Sequence, residues 1–307
     1  MGRYVLRRLL LTIPVLLGAS LLIFAMVYAL PGDPIRALGG DRPLSAAVQA
    51  QLRAEYNLDD PLLIQYAKYL AGLVQGDFGT DFSGRPVLTT ILDRLPVTIR
   101  LALVAVGFEI LIGILAGVLA GLRRGSFFDN LVLVSTTVVV SIPVFVLGFL
   151  AQYVFGVRLG WFPIAGLADG WYSYILPGLV LASLSLAYVA RLTRTSLAEN
   201  LQSDYVRTAR AKGLSETTVV GKHALRNSLI PVVTFIGADL GALLGGAIVT
   251  ESVFNIPGLG RAVYDAVLRQ EGAVVVGIVT LFVFFYIFFN LVVDVLYAAL
   301  DPRIRYE

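Results

Sequence analysis

The sequence predicts an all-α membrane protein that crosses the bilayer six times. Three observations carry that reading. Of 307 residues, 57% are apolar and 15% charged, with a mean hydropathy of +0.81; soluble domains carry about a quarter charged residues. Six apolar runs are long enough to cross a hydrocarbon core about 30 Å thick. Basic residues collect at alternate ends of those runs, as they do on the inner side of a membrane.

The runs are Leu9–Leu30, Leu101–Leu122, Leu131–Val157, Tyr174–Ala190, Leu229–Thr250 and Ala273–Leu300. The first has 22 residues, longer than the roughly 7–15 of a cleavable signal segment, and reads as a retained span. Arg3, Arg7 and Arg8, Arg123 and Arg124, seven basic residues from Arg191 to Arg226, and Arg303 and Arg305 fall on one side. Only Arg158, Arg261 and Arg269 fall in the short loops of the other. Both termini are therefore expected in the cytoplasm of a multi-pass protein.

Residues 31–99 form the first outer segment, and the organisation divides as 1–99 followed by a five-helix core at 100–307. Val48, Leu52 and Tyr56 recur every fourth residue, which suits a short amphipathic helix over 45–57. Asp60-Pro61 reads as an N-cap followed by proline at the first helical position. Leu62, Tyr66, Tyr69, Leu70 and Leu73 continue that second helix on one face. Gly76-Asp77-Phe78-Gly79 ends it, and a third short helix over 86–95 leads to the second span. Together these predict a small extracytoplasmic helical cap. Between the last two spans, Pro257, Gly258 and Gly260 make a turn before a surface helix at 261–270.

Several classes of chemistry are excluded. There is no cysteine and one histidine, His223, so thiol catalysis and multi-histidine metal sites are ruled out. The net charge of +3, spread along the chain, does not suit nucleic acid. A phosphate-binding loop needs glycine five positions before the glycine of Gly-Lys-Ser/Thr; Gly221-Lys222-His223 has Glu216 there and lacks the hydroxyl. No serine-hydrolase elbow or zinc-protease motif is present, so no catalytic, metal or cofactor residue is expected.

Glu109, Asp239 and Asp294 stand inside spans, where a carboxylate costs on the order of 3 kcal/mol; Asn290 lies one turn before Asp294. They fit a polar translocation pathway or a proton relay, and equally interhelical hydrogen bonds or a partner arginine near a membrane end. Gly113, Gly117 and Gly121, and Gly237, Gly241 and Gly245, each form a stripe on one helical face. Small-residue stripes serve helix packing, and a pathway lining is the other reading.

The stretch from Tyr205 to Pro231 reads YVRTARAKGLSETTVVGKHALRNSLIP. Gly213 accepts positive φ at little cost, so one helix can end there and another start, with Ser215 placed to cap the second over 216–226. The basic groups suit an acidic protein surface or anionic lipid, or are simply a solvated inner loop.

This stretch resembles the cytoplasmic coupling segment of permease subunits of binding-protein-dependent ABC importers. The wider pattern is Glu-Ala-Ala, three residues, then Gly. Ala209 and Gly213 match it, whereas Arg207 and Thr208 replace its Glu and Ala, so no glutamate-based contact is carried over. Arg207-Thr208-Ala209-Arg210-Ala211-Lys212-Gly213 with His223-Ala224-Leu225-Arg226-Asn227 is typical of the dipeptide and oligopeptide permease group. Pro31-Gly32-Asp33-Pro34, Gly76-Asp77-Phe78-Gly79, Asn255-Ile256-Pro257-Gly258-Leu259-Gly260 and Asp301-Pro302-Arg303-Ile304-Arg305-Tyr306 extend the resemblance over nearly the whole chain.

The resemblance implies a type I importer permease fold in a bacterial inner membrane. It also implies a second, similar permease, two ATP-binding subunits that hold ATP and Mg, an extracytoplasmic binding protein and a peptide substrate, with lipid around the spans. ATPase coupling would fall to residues 193–228, in particular Arg207, Thr208, Ala209, Arg210, Ala211, Lys212, Gly213, Leu214, Arg226 and Asn227. Related permeases also serve glutathione, nickel chelates and haem. The residues alone leave open a proton-coupled secondary transporter working through Glu109 or Asp239.

Overall fold

A computed structural model of the chain describes residues 2–28, 45–55 and 57–300. The motifs at 31–34 and 301–306, and Tyr56 of the first amphipathic repeat, lie outside the described residues.

The described residues form helices joined by turns. They are α1 (Gly2–Tyr28), α2 (Ala46–Glu55), α3 (Leu62–Val74) and α4 (Val87–Leu122). Then come α5 (Phe127–Ser141), α6 (Val144–Arg158) and α7 (Ile175–Asn200). The last are α8 (Asp204–Ala211), α9 (Glu216–Val253), α10 (Leu259–Leu268) and α11 (Gly272–Leu300). Five of these are long and apolar enough to cross a membrane, and the α5–α6 pair makes a sixth if counted as one span.

The differences from the sequence expectation have local causes. The third apolar run is not one rod. It bends by 106° between its two arms, because the residue before a proline is pushed out of the helical region. Ile142 is extended (φ −100°, ψ 127°), and Pro143 starts the new arm. The helix expected at 86–95 is the first part of α4, which runs on through Pro96. The helix expected at 216–226 is the first part of α9, which passes through Pro231 without a break. Pro61 itself occupies the N-cap position of α3, and Asp60 bonds Lys68 instead, at 2.6 Å.

α7 is the centre of the bundle: 56% of its apolar window is buried, against 11% for α1. It packs on α4, α5, α6 and α9, while α9 also carries α10 and α11, and α1 lies outermost on α11. Leu101 and Ala105 of α4, Leu181 of α7, Leu244 and Ala247 of α9, and Ile278 of α11 share one core. In lipid, helices associate by close packing and interhelical hydrogen bonds and not by escape from water. The glycines supply that closeness. A Cβ built on Gly117 would lie 2.5 Å from Cβ of Thr193, and one on Gly113 2.8 Å from a Val189 methyl. On α9, a Cβ at Gly241 would meet Cα of Tyr286 at 2.5 Å and one at Gly237 a Val293 methyl at 2.5 Å, whereas Gly245 faces open space.

Candidate functional site

α8 and the start of α9 build the knob. Val206 and Ala209 of α8 are buried with Leu197 of α7 and Val219 and Ala224 of α9, and Val118 and Leu201 pack against them. An eight-residue helix is too short to hold by itself in water; this apolar seam fixes it to the ends of α4, α7 and α9. Gly213 ends α8 with φ +77°. Its N–H donates to the Arg210 carbonyl at 2.9 Å, and the Leu214 N–H to the Ala209 carbonyl at 3.4 Å. This is the paired bonding of a Schellman stop, with glycine at the left-handed position. Ser215 stands at the N-cap position of α9, but its hydroxyl bonds Thr217 and Thr218 hydroxyls and not a backbone N–H.

The turn leaves one face bare. Arg207, Thr208, Arg210, Ala211, Lys212, Gly213 and Leu214 are exposed, while Ala209 is buried in the seam. Arg210 donates to Glu216 at 2.6 Å across the corner, and that bonded carboxylate raises its pKa above the ordinary value. Arg226 and Asn227 are exposed further along α9. Asp129, 1% exposed, anchors the neighbourhood. It accepts from Arg194 of α7 (Nη2 to Oδ2, 2.8 Å) and from the Gly125 N–H at 2.8 Å. The turn between α4 and α5 is thereby tied to α7.

The four intramembrane polar residues separate into two places. Asp294 pairs with Arg8 of α1, whose Nε donates to Oδ2 at 2.6 Å. Asn290 donates to the Tyr286 carbonyl of its own helix at 2.7 Å. Glu109 and Asp239, by contrast, come together. A π-helical stretch, Glu109–Gly113, interrupts α4, and the Glu109 carboxyl adjoins that of Asp239 of α9, beside Ser185 of α7.

One constellation escaped the sequence reading. Glu251, the residue after the expected end of the fifth span, is 0% exposed. Its carboxylate accepts from the Thr98 hydroxyl of α4 at 2.6 Å and from the Arg261 N–H of α10 at 3.0 Å. The Thr98 hydroxyl in turn accepts from the Leu259 N–H at 2.8 Å. The glycine-rich turn thus wraps its backbone donors around one carboxylate. Gln152 of α6 joins the same end of α9, donating to the carbonyls of Val253 at 3.0 Å and Ile164 at 2.8 Å. The available signal was the spacing from Glu251 to the Pro-Gly-Leu-Gly turn.

The described residues thus form a bundle of apolar helices that carries a knob seated on the ends of α4, α7 and α9. The chain belongs to the family described as binding-protein-dependent transport system inner membrane component, whose model matches residues 113–306. The corresponding N-terminal family model matches residues 1–102. It is a permease subunit of an ABC importer, and ATP hydrolysis belongs to separate subunits.

Among particular proteins, the chain is 46% identical over 308 residues to the glutathione transport system permease protein GsiC of Salmonella paratyphi A (strain ATCC 9150 / SARB42), with both chains fully covered. The same protein of Escherichia coli (strain K12) is also 46% identical over full length. Two inward-facing structures of the MetNI methionine ABC transporter share the fold. They give TM-scores of 0.58 and 0.59 at 20% and 21% identity, covering 69% and 70% of this chain and 96% and 97% of theirs.

Proposed function

We propose that this chain forms half of the translocation pathway of an importer of small peptides. A second, similar permease supplies the other half, and two ATP-binding subunits, carrying ATP and Mg, grip the knob from the cytoplasm. The observation that carries this is the glycine-stopped corner at 204–216. Its apolar side is seated on α4, α7 and α9, and its basic side is exposed. Closure of the ATPase pair moves the corner, and the packed spans follow it. An extracytoplasmic binding protein delivers the cargo to the opposite end, at the outer segment and the turn that holds α10. Peptide-class cargo is supported by the motif variant at 207–213 and by relatives named for transport of glutathione, itself a tripeptide.

The test is Gly213→Trp in the reconstituted complex. Nothing lies within 4 Å of a Cβ at this position, so the bulk protrudes outward into the ATPase contact. Membrane insertion and ATP hydrolysis should persist while peptide uptake is lost. Uptake at the wild-type rate would overturn the coupling role. Gly213→Ala separates the backbone cost, about 1–2 kcal/mol for a left-handed non-glycine residue, from the steric one.

A further inference from the structure

We propose that the segment between α6 and α7 anchors the chain in phospholipid headgroups, in the leaflet distal to the knob. Trp161 and Trp171 sit in the interfacial layer, and Arg158 and Arg100 meet its phosphates. These are the two tryptophans of the chain. Trp161 is 57% exposed and Trp171 62%, and Tyr153 and Tyr172 are exposed with them. An indole joins an apolar ring to a single N–H donor, so it suits the level where hydrocarbon gives way to water. The segment lies one helix length from the knob: α7 follows it with 26 residues, about 39 Å at 1.5 Å per residue.

Three span ends set that level. The apolar run of α4 starts at Leu101, directly after Arg100; the run that closes α6 stops at Val157, directly before Arg158; and the run of α7 starts at Tyr174, just after Trp171. The Arg100 guanidinium lies over the Trp171 ring, 6.0 Å from its centroid. Arg158 lies over the Tyr153 ring at 5.4 Å, and its Nε donates to the Tyr153 hydroxyl at 2.8 Å. Neither guanidinium is ion-paired with a carboxylate among the described residues. An aromatic face attracts a cation without neutralising it, and the guanidinium fork matches a phosphate.

The segment is fastened to the bundle from within. Phe162 and Leu167 pack against the core, and the Gly166 N–H donates to the Phe254 carbonyl, just past the end of α9, at 2.9 Å. The Phe162 ring stacks on Tyr172 with centroids 5.3 Å apart, and the Tyr172 hydroxyl donates to the Trp161 carbonyl. The inner side chains are thus committed to the fold while both indoles stay outside it. Val157, Leu159 and Ile164 are exposed in the same segment, so it offers apolar surface to acyl chains as well as cations to headgroups.

Quenching of tryptophan emission by brominated phospholipids tests this without any cargo. In the full chain, reconstituted in vesicles of phosphatidylcholine and phosphatidylglycerol, all of the emission comes from Trp161 and Trp171. Bromines placed near the headgroup end of the acyl chains should extinguish most of it, and bromines near the bilayer centre less. In the assembled transporter the same emission is isolated as the difference between wild type and Trp161→Phe/Trp171→Phe, and the shallow quenching should persist there. In Arg100→Gln/Arg158→Gln the shallow bromines should lose part of their advantage; an unchanged depth profile overturns the role given to the arginines. Absent quenching in the wild-type chain, or stronger quenching from the bilayer centre, overturns the proposal with no variant required. Quenching that disappears on assembly overturns it too, and shows that a partner protein covers the patch.

Discussion

The carboxylate of Glu251 fills the volume that a side chain at position 258 needs. A Cβ on Gly258 would lie 2.2 Å from its Oε1. That glycine is required by a neighbour's charge and not by its own backbone angles, which are extended. Gly258→Ala should therefore displace the carboxylate and resemble Glu251→Ala in outcome. Removing the carboxylate orphans the Thr98 hydroxyl and the Arg261 N–H, at about 1–3 kcal/mol for each buried unsatisfied group. Thermal unfolding in detergent should place Glu251→Ala and Gly258→Ala well below wild type, with Glu251→Gln between them. A wild-type midpoint for Gly258→Ala would show that the turn adjusts freely. At this scale the sequence was only partly legible. Asp294 near a span end invited an arginine partner, and Arg8 is that partner. Glu251 was passed over because a carboxylate one residue beyond an apolar run looks solvated; only the fold of the following turn buries it.

Helix contacts turn on the same absence of side chains, graded along each stripe. Gly117 sits against both the Thr193 side chain and the Ala190 carbonyl, the latter 2.6 Å from a built Cβ. Gly117→Val must force α4 off α7, with an overpacking cost of about 1–3 kcal/mol. Gly245→Ala meets nothing and relieves a mid-helix glycine, a gain of up to about 1 kcal/mol. Opposite shifts of the unfolding midpoint in these two variants, compared under one detergent, test the grading; equal shifts would refute it. Apolar run length revealed how many elements cross, but continuity was hidden. Pro96 and Pro231 interrupt nothing, whereas Pro143 ends an arm because Ile142 before it is free to extend. A proline's presence is visible in sequence; whether the surrounding packing tolerates its missing hydrogen bond is not.

For the molecule as a whole, the testable property is its orientation. The chain has no cysteine, so single cysteines can be introduced without background. Leu214 on the knob is 40% exposed and Tyr264 on α10 is 48% exposed. In intact cells lacking the partner subunits, Tyr264→Cys should react with a membrane-impermeant maleimide and Leu214→Cys only after permeabilisation. The reverse pattern would invert the assignment of both termini. The basic asymmetry of the sequence is what this labelling tests. The Gly213 corner was readable, since a glycine between two short amphipathic stretches has few other uses. What could not be read was that the second of those stretches is the same helix as the fifth span. α9 has 38 residues, hence about 57 Å of length at roughly 1.5 Å per residue, close to twice the hydrocarbon thickness of about 30 Å. Its first turn lies beside the corner and its last turn carries Glu251. On the proposed function, this one helix is the push-rod by which a grip on the corner at one end would set the timing of the mouth at the other.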